Sequence, residues 1–138
     1  MSTEQYKTAI RRFVQQGFNQ QDFAEYDVFY GTELTDHGLP PNMPSGLEGR
    51  KMFMSAFFAA FPDLLATIED IIASDDRAAL RWSATGTHTG ELMGIPPTSK
   101  SVTVTGIVIY RFEGGKAVEH WEVFDQMGMM QQLGVIPS

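Results

Sequence analysis

The hydrophobic period of this chain changes once, at Phe61-Pro62-Asp63, and that change narrows the folds open to it. Before it, apolar side chains recur at helical spacing: Tyr6, Ile10, Phe13 and Val14 on one stripe, then Phe53, Phe57 and Ala60 on another. After it, apolar and polar residues alternate with a period of two almost to the C-terminus. Helices followed by a run of strands imply an α+β fold, with the helices laid on one face of a curved antiparallel sheet as a cone around an apolar pocket.

Local signals divide the chain further. Ser2 with Gln5 three residues on reads as a capping box opening a first helix, with Gly17 as its stop. A short helix is expected from Asp22 as N-cap to about Phe29, a brief strand over Glu33 to His37, and a rim-like Pro/Gly loop from Gly38 to Gly46. A third helix runs from about Leu47 to Ala60 and ends before Pro62. Four strands follow: Leu64 to Ser74, Arg77 to about Glu91, Val102 to Phe112, and Lys116 to Gln126. Gly114-Gly115 makes the last hairpin a two-residue turn, and Met127 to Leu133 closes with a helical turn. No repeat or composition break divides the 138 residues, so one domain is expected.

Charge and composition exclude several function classes. A net charge of −7 and no long Lys/Arg cluster argue against nucleic acid as a partner. With no cysteine there is neither a disulfide framework nor a thiolate nucleophile. The histidines His37, His88 and His120 fall at no metal-binding spacing, no phosphate cradle follows a strand, and nothing asks for an organic cofactor or a metal. The N-terminus is polar and no eighteen apolar residues run together, so no membrane association and a cytoplasmic location are expected.

The densest chemistry lies in the last strand, Val118-Glu119-His120-Trp121-Glu122-Val123-Phe124-Asp125. With a two-residue turn and regular pairing, Arg111 faces Val118, Ile109 faces His120 and Ile107 faces Glu122. One sheet face then shows Ile107, Ile109, His120, Glu122 and Phe124, an acid and an imidazole among apolar walls. Burial there raises the pKa of a carboxyl and makes it a proton carrier. The plainer alternative is a solvated Glu122, or one paired with Arg81 or Arg111. The opposite face shows Val104, Val108, Tyr110, Trp121, Val123 and Asp125, to be covered by a second copy in a homodimer or by the helices; in the latter case pocket and core faces exchange.

Several strings together resemble the SnoaL-like polyketide cyclases of the nuclear transport factor 2-like superfamily. They are Phe61-Pro62-Asp63, Gly86-Thr87-His88-Thr89-Gly90, Gly94-Ile95-Pro96-Pro97-Thr98, Gly115-Lys116-Ala117-Val118-Glu119-His120-Trp121, and Asp125 with Gln131-Gln132-Leu133-Gly134. The resemblance spans about Tyr6 to Gly134. It implies an aldol-type ring closure without metal or cofactor, in which a carboxylate of the last strand moves the proton. That position falls on Glu122, an Asp in the cyclases. The resemblance also matches Asp125 to a second acidic position, His88 to a histidine before the Pro-Pro-Thr loop, and His37 to a polar residue at the pocket mouth. Phe18 stands where relatives place a Tyr, and Ala56 where they place a polar residue.

The combined expectation is a cofactor-independent cyclase, lyase or isomerase for a small apolar carbonyl compound. Glu122, Asp125, His120 and His88 are its candidate catalytic groups. Phe18, His37, Phe53, Phe57, Ile107 and Phe124 are its candidate substrate contacts. A non-catalytic small-molecule-binding module is the alternative. Epoxide hydrolysis is a third reading, which needs an Arg between two carboxylates; Arg111 is its candidate.

Overall fold

A computed structural model describes Met1 to Ser138. Helix α1 (Thr3–Arg12) begins at the capping box: Ser2 Oγ accepts the Gln5 N–H at 3.2 Å and Gln5 Oε1 accepts the Ser2 N–H at 2.7 Å. Gly17 does not stop the helix. The chain continues as a π-helical segment, Phe13–Phe18, closed by the Asn19 N–H donating to the Val14 carbonyl at 2.9 Å. The wider turn keeps Phe13, Val14 and Phe18 on the inner side, and Gly17 leaves room for the Phe13 ring, 2.9 Å from where a Cβ would lie.

The short helix α2 (Ala24–Phe29) starts one residue later than expected, with Phe23 rather than Asp22 as its N-cap, because Asp22 Oδ1 accepts the Ala24 N–H in a turn of its own. Strand β1 spans Tyr30–Asp36 and α3 spans Gly46–Ala60. Then come β2 (Leu65–Ser74), β3 (Arg77–Thr87), β4 (Ser101–Glu113), β5 (Lys116–Phe124) and α4 (Gln126–Leu133).

The fold is α+β: a five-stranded curved sheet in the order β1-β5-β4-β3-β2, with helices packed on it. The four later strands form the expected antiparallel meander. The addition is β1, which pairs parallel to β5 and places α3 across the sheet. Strand β3 ends four residues short of the expected Glu91. There the Thr89 and Gly90 N–H groups turn away from the sheet and donate to the Ala60 carbonyl at the end of α3, at 3.0 and 3.1 Å. A Cβ on Gly90 would lie 2.1 Å from the Ala59 carbonyl oxygen, so only glycine permits this approach.

The β4–β5 hairpin corrects the expected register. Gly114 and Gly115 adopt φ of +60° and +80°, giving the two-residue turn. Val118, however, is an extra residue: Phe112 pairs with Ala117, but Arg111 pairs with Glu119, so the strand is bulged between them. Beyond the bulge His120 faces Tyr110 and Glu122 faces Val108. The inner face therefore carries Val104, Val108 and Tyr110 beside His120, Glu122 and Phe124. Ile107 and Ile109 lie on the outer face and are exposed. No helix is long and apolar enough to cross a membrane.

Candidate functional site

The concave face of the sheet and the helices enclose one well-formed cavity, walled by 23 residues of which 20 are hydrophobic. Its volume is about 100 Å³, several times the ~10–15 Å³ that one water needs. The helical side contributes Phe13, Phe18, Phe53 and Phe57, and the sheet contributes Val102, Val104, Leu80 and Phe124. The charged and imidazole groups in this wall are Arg50, His120 and Glu122.

They sit together because three elements meet there. Strand β5 presents His120 and Glu122 two residues apart on the inner face, β1 ends at Asp36, and α3 points Arg50 between them. His120 is buried, with Nδ1 3.0 Å from Tyr30 Oη and Nε2 3.0 Å from Glu122 Oε1. An ionised carboxylate can only accept, so Nε2 donates its proton toward Glu122, while Nδ1 shares a hydrogen bond with the Tyr30 hydroxyl. Trp82 Nε1–H donates to the other carboxylate oxygen at 3.0 Å. The Arg50 guanidinium grips Asp36 with two bonds, at 2.7 and 3.1 Å, and its Nη1 lies 3.6 Å from Glu122 Oε1.

These contacts decide the protonation states. Burial pushes the Glu122 carboxyl up, but the His120 hydrogen bond and charge, the Arg50 charge and the Trp82 N–H outweigh it. Its pKa lies below the ordinary glutamate value, opposite to the expectation from burial alone. For Asp36, burial is again opposed by the Arg50 hydrogen bonds and the charges of His120 and Arg50, with the Gly38 N–H adding to them; its carboxyl too is held low. Arg50 loses hydration, yet its pairing with Asp36 keeps it charged. The inner end of the cavity thus carries fixed charges in an apolar wall.

The other candidates lie elsewhere. His88 is buried outside the cavity wall; Nδ1 accepts the Thr98 N–H at 3.2 Å and the ring packs against Phe61 at 5.3 Å. Asp125 is the N-cap of α4, accepting the Gly128 N–H at 2.9 Å. His37 is an exposed residue that bonds Glu119 at 2.7 Å and stacks on Trp121, and Ile107 is on the outer face. Arg81 pairs with Asp70, and Arg111 with Glu119 and Glu113, so neither reaches Glu122.

Sequence reasoning missed Arg50, Asp36 and the tyrosines around them. A signal was present for Arg50: it falls on the apolar stripe of α3, between Leu47 and the pair Phe53/Met54.

The family model for SnoaL-like polyketide cyclases matches residues 8–133. The chain belongs to this family. Solved structures similar to this SnoaL-like chain include AclR of Streptomyces galilaeus, described as a proposed hydroxylase, at 31% identity over 99% of this chain and 85% of that one, with a TM-score of 0.88. IdmH of Streptomyces antibioticus, described as a proposed polyketide cyclase, is 32% identical over 94% of this chain and 99% of that one, with a TM-score of 0.83. TsrD of Streptomyces laurentii shares the fold, with a TM-score of 0.90 and 24% identity over 99% of each chain. Comparison with curated proteins gives no match.

Proposed function

We propose that this SnoaL-like protein is a cofactor-independent acid/base catalyst, closing or isomerising a small, largely apolar carbonyl compound. The observation that carries the reading is the ionised Glu122, set by His120 and Trp82 into the wall of a cavity that is otherwise almost entirely apolar. The proposed cyclase activity of IdmH, at 32% identity, supports the same reaction class.

In the ring closure, a Glu122 oxygen takes a proton from the carbon beside a carbonyl. The resulting enolate carbon attacks a second carbonyl of the same molecule, forming the new C–C bond, and the alkoxide so formed takes the proton back from Glu122. His120 is a positioning residue: it is buried and fully engaged, and it fixes the carboxylate rather than touching the ligand. The apolar walls hold the flexible substrate folded and exclude competing water.

Exchange of α-protons of 2,6-heptanedione for deuterium, followed by NMR, tests the first step. The wild type is expected to catalyse exchange and Glu122→Gln to lose roughly 10²–10⁴-fold of it while keeping ligand affinity. Equal exchange in both proteins removes Glu122 from the reaction. Binding without exchange by the wild type leaves the non-catalytic binding module. Arg50, placed between Asp36 and Glu122, favours one second reading, epoxide hydration, for which Arg111 is not positioned. Hydrolysis of cyclohexene oxide that depends on Asp36 as well as Glu122 is its signature.

A further inference from the structure

The Tyr26 hydroxyl is buried and has no hydrogen-bond partner, although Tyr26 belongs to the cavity wall. Buried hydroxyls are nearly always paired, because an unmade bond in the interior costs stability. The ring cannot readily swing away to find a partner. Phe13 packs edge-on against it at 4.9 Å, Phe23 lies at 5.0 Å and Tyr30 at 6.1 Å. Burial, opposed by the Arg50 charge and assisted by that of Glu122, raises the phenol well above its ordinary range, so it stays a proton donor. The same causes put Tyr26 within electrostatic reach of the Arg50–Glu122 end of the cavity.

A donor without a partner in an apolar wall is complementary to one kind of ligand atom, an uncharged acceptor oxygen. Glu122 can only accept, so the wall offers a ligand the buried, unpaired Tyr26 donor together with a base. We infer that Tyr26 anchors the ligand: its hydroxyl donates to the carbonyl oxygen of a neutral ketone and fixes the adjoining carbon toward Glu122. The second half of this assignment rests on the acid/base reading above, whereas the first half does not.

The probe is 1-tetralone carrying ¹³C at the carbonyl, with tetralin, its hydrocarbon counterpart, as control. In wild type the bound carbonyl stretch is expected at lower frequency than in Tyr26→Phe, and the variant binds 1-tetralone about three- to tenfold more weakly, the loss of one hydrogen bond. Tetralin binding is expected to be unchanged. A purely structural hydroxyl predicts the reverse pattern: no frequency difference, and a variant at least as stable as wild type with equal affinity for 1-tetralone. That result, or a wild type that prefers tetralin to 1-tetralone, overturns the assignment. Glu122→Gln should retain the frequency shift, so proton exchange that persists undiminished in that variant with the shift intact leaves the Tyr26 anchor standing while the acid/base reading falls.

Discussion

Replacing Arg50 by Met isolates the electrostatics of the site. The Arg50 and Asp36 side chains are 4% and 0% exposed, and the Met stem fills most of the space of the arginine it replaces. What the variant loses is the compensation of a buried carboxylate, which costs about 3–5 kcal/mol when one partner of a buried pair is removed. With a urea m-value of about 2 kcal/mol/M for a chain of this size, the unfolding midpoint should fall by roughly 1.5–2.5 M at pH 7. The pH dependence supplies the sign. In wild type the Asp36 pKa is held below its unfolded value. Its stabilising contribution is therefore present above the unfolded pKa and lost as pH falls through the folded one. Without Arg50 the burial effect dominates and the folded pKa rises above the unfolded value, so the penalty is greatest near neutrality and shrinks on acidification. Urea melts followed by the fluorescence of Trp82 and Trp121 at pH 7 and pH 5 measure both effects, and Asp36→Asn combined with Arg50→Met should recover much of the loss. A variant within about 1 kcal/mol of wild type at pH 7, or a gap that widens toward pH 5, would refute the reasoning.

Three further outcomes are expected. In Gly106→Ala the new Cβ would lie 2.4 Å from Trp82 Cζ2, so the indole must shift away from Glu122 at a cost of about 1–3 kcal/mol, visible in the thermal melt and in the near-ultraviolet circular dichroism; an unchanged spectrum contradicts it. Because the Glu122 carboxyl is held low, turnover that needs it ionised should stay level as pH falls from neutrality toward the ordinary Glu value of ~4.3 and decline only below it. A kcat/KM profile bending above pH 5 argues for another base. Val123, 79% exposed beside Ile107 and Ile109, lies where a second copy would cover the outer face. Val123→Lys should lower the mass seen by sedimentation without altering 1-tetralone binding, and an unchanged mass moves any self-contact elsewhere.

Most of the architecture could be read from periodicity, because helices and strands bury their apolar positions at different spacings. The switch at Phe61-Pro62-Asp63, the Ser2–Gln5 box and the Gly114-Gly115 turn are local signals with local causes, and the fold places each where expected. The pairing partners of β5 were not legible. Ile107-Val108-Ile109-Tyr110 is apolar on both faces, so alternation could not choose between registers, and the bulge at Val118 reversed the choice. His120 and Glu122 were correctly grouped on one face, since two residues of one strand keep their relation whatever the register. Asp36 and Arg50 are 14 residues apart in the chain and join Glu122 only through the parallel pairing of β1 with β5, a long-range contact that no local pattern encodes. The cation beside Glu122 escaped for the same reason: pairing with an arginine was one of the two expectations, but the arginine is Arg50 rather than Arg81 or Arg111.

The π-helical segment Phe13–Phe18 invites a reading in terms of descent and of engineering. A helix that gains one residue without lengthening its neighbours must absorb it in a widened turn, and such turns gather where a site needs an off-phase side chain. Here the surplus residue keeps Phe18 on the same wall as Phe13. Deleting Gln15 or Gln16 would restore the ordinary pitch and rotate everything beyond it by about 100°, the angle of one residue of an α-helix. The first helix therefore ends in a spacer that sets the phase of Phe18 on the cavity wall and of Asn19, whose side chain bonds both the N–H and the carbonyl of Ala66 in β2, so an insertion or deletion there changes the cavity and the seating of the helix on the sheet together.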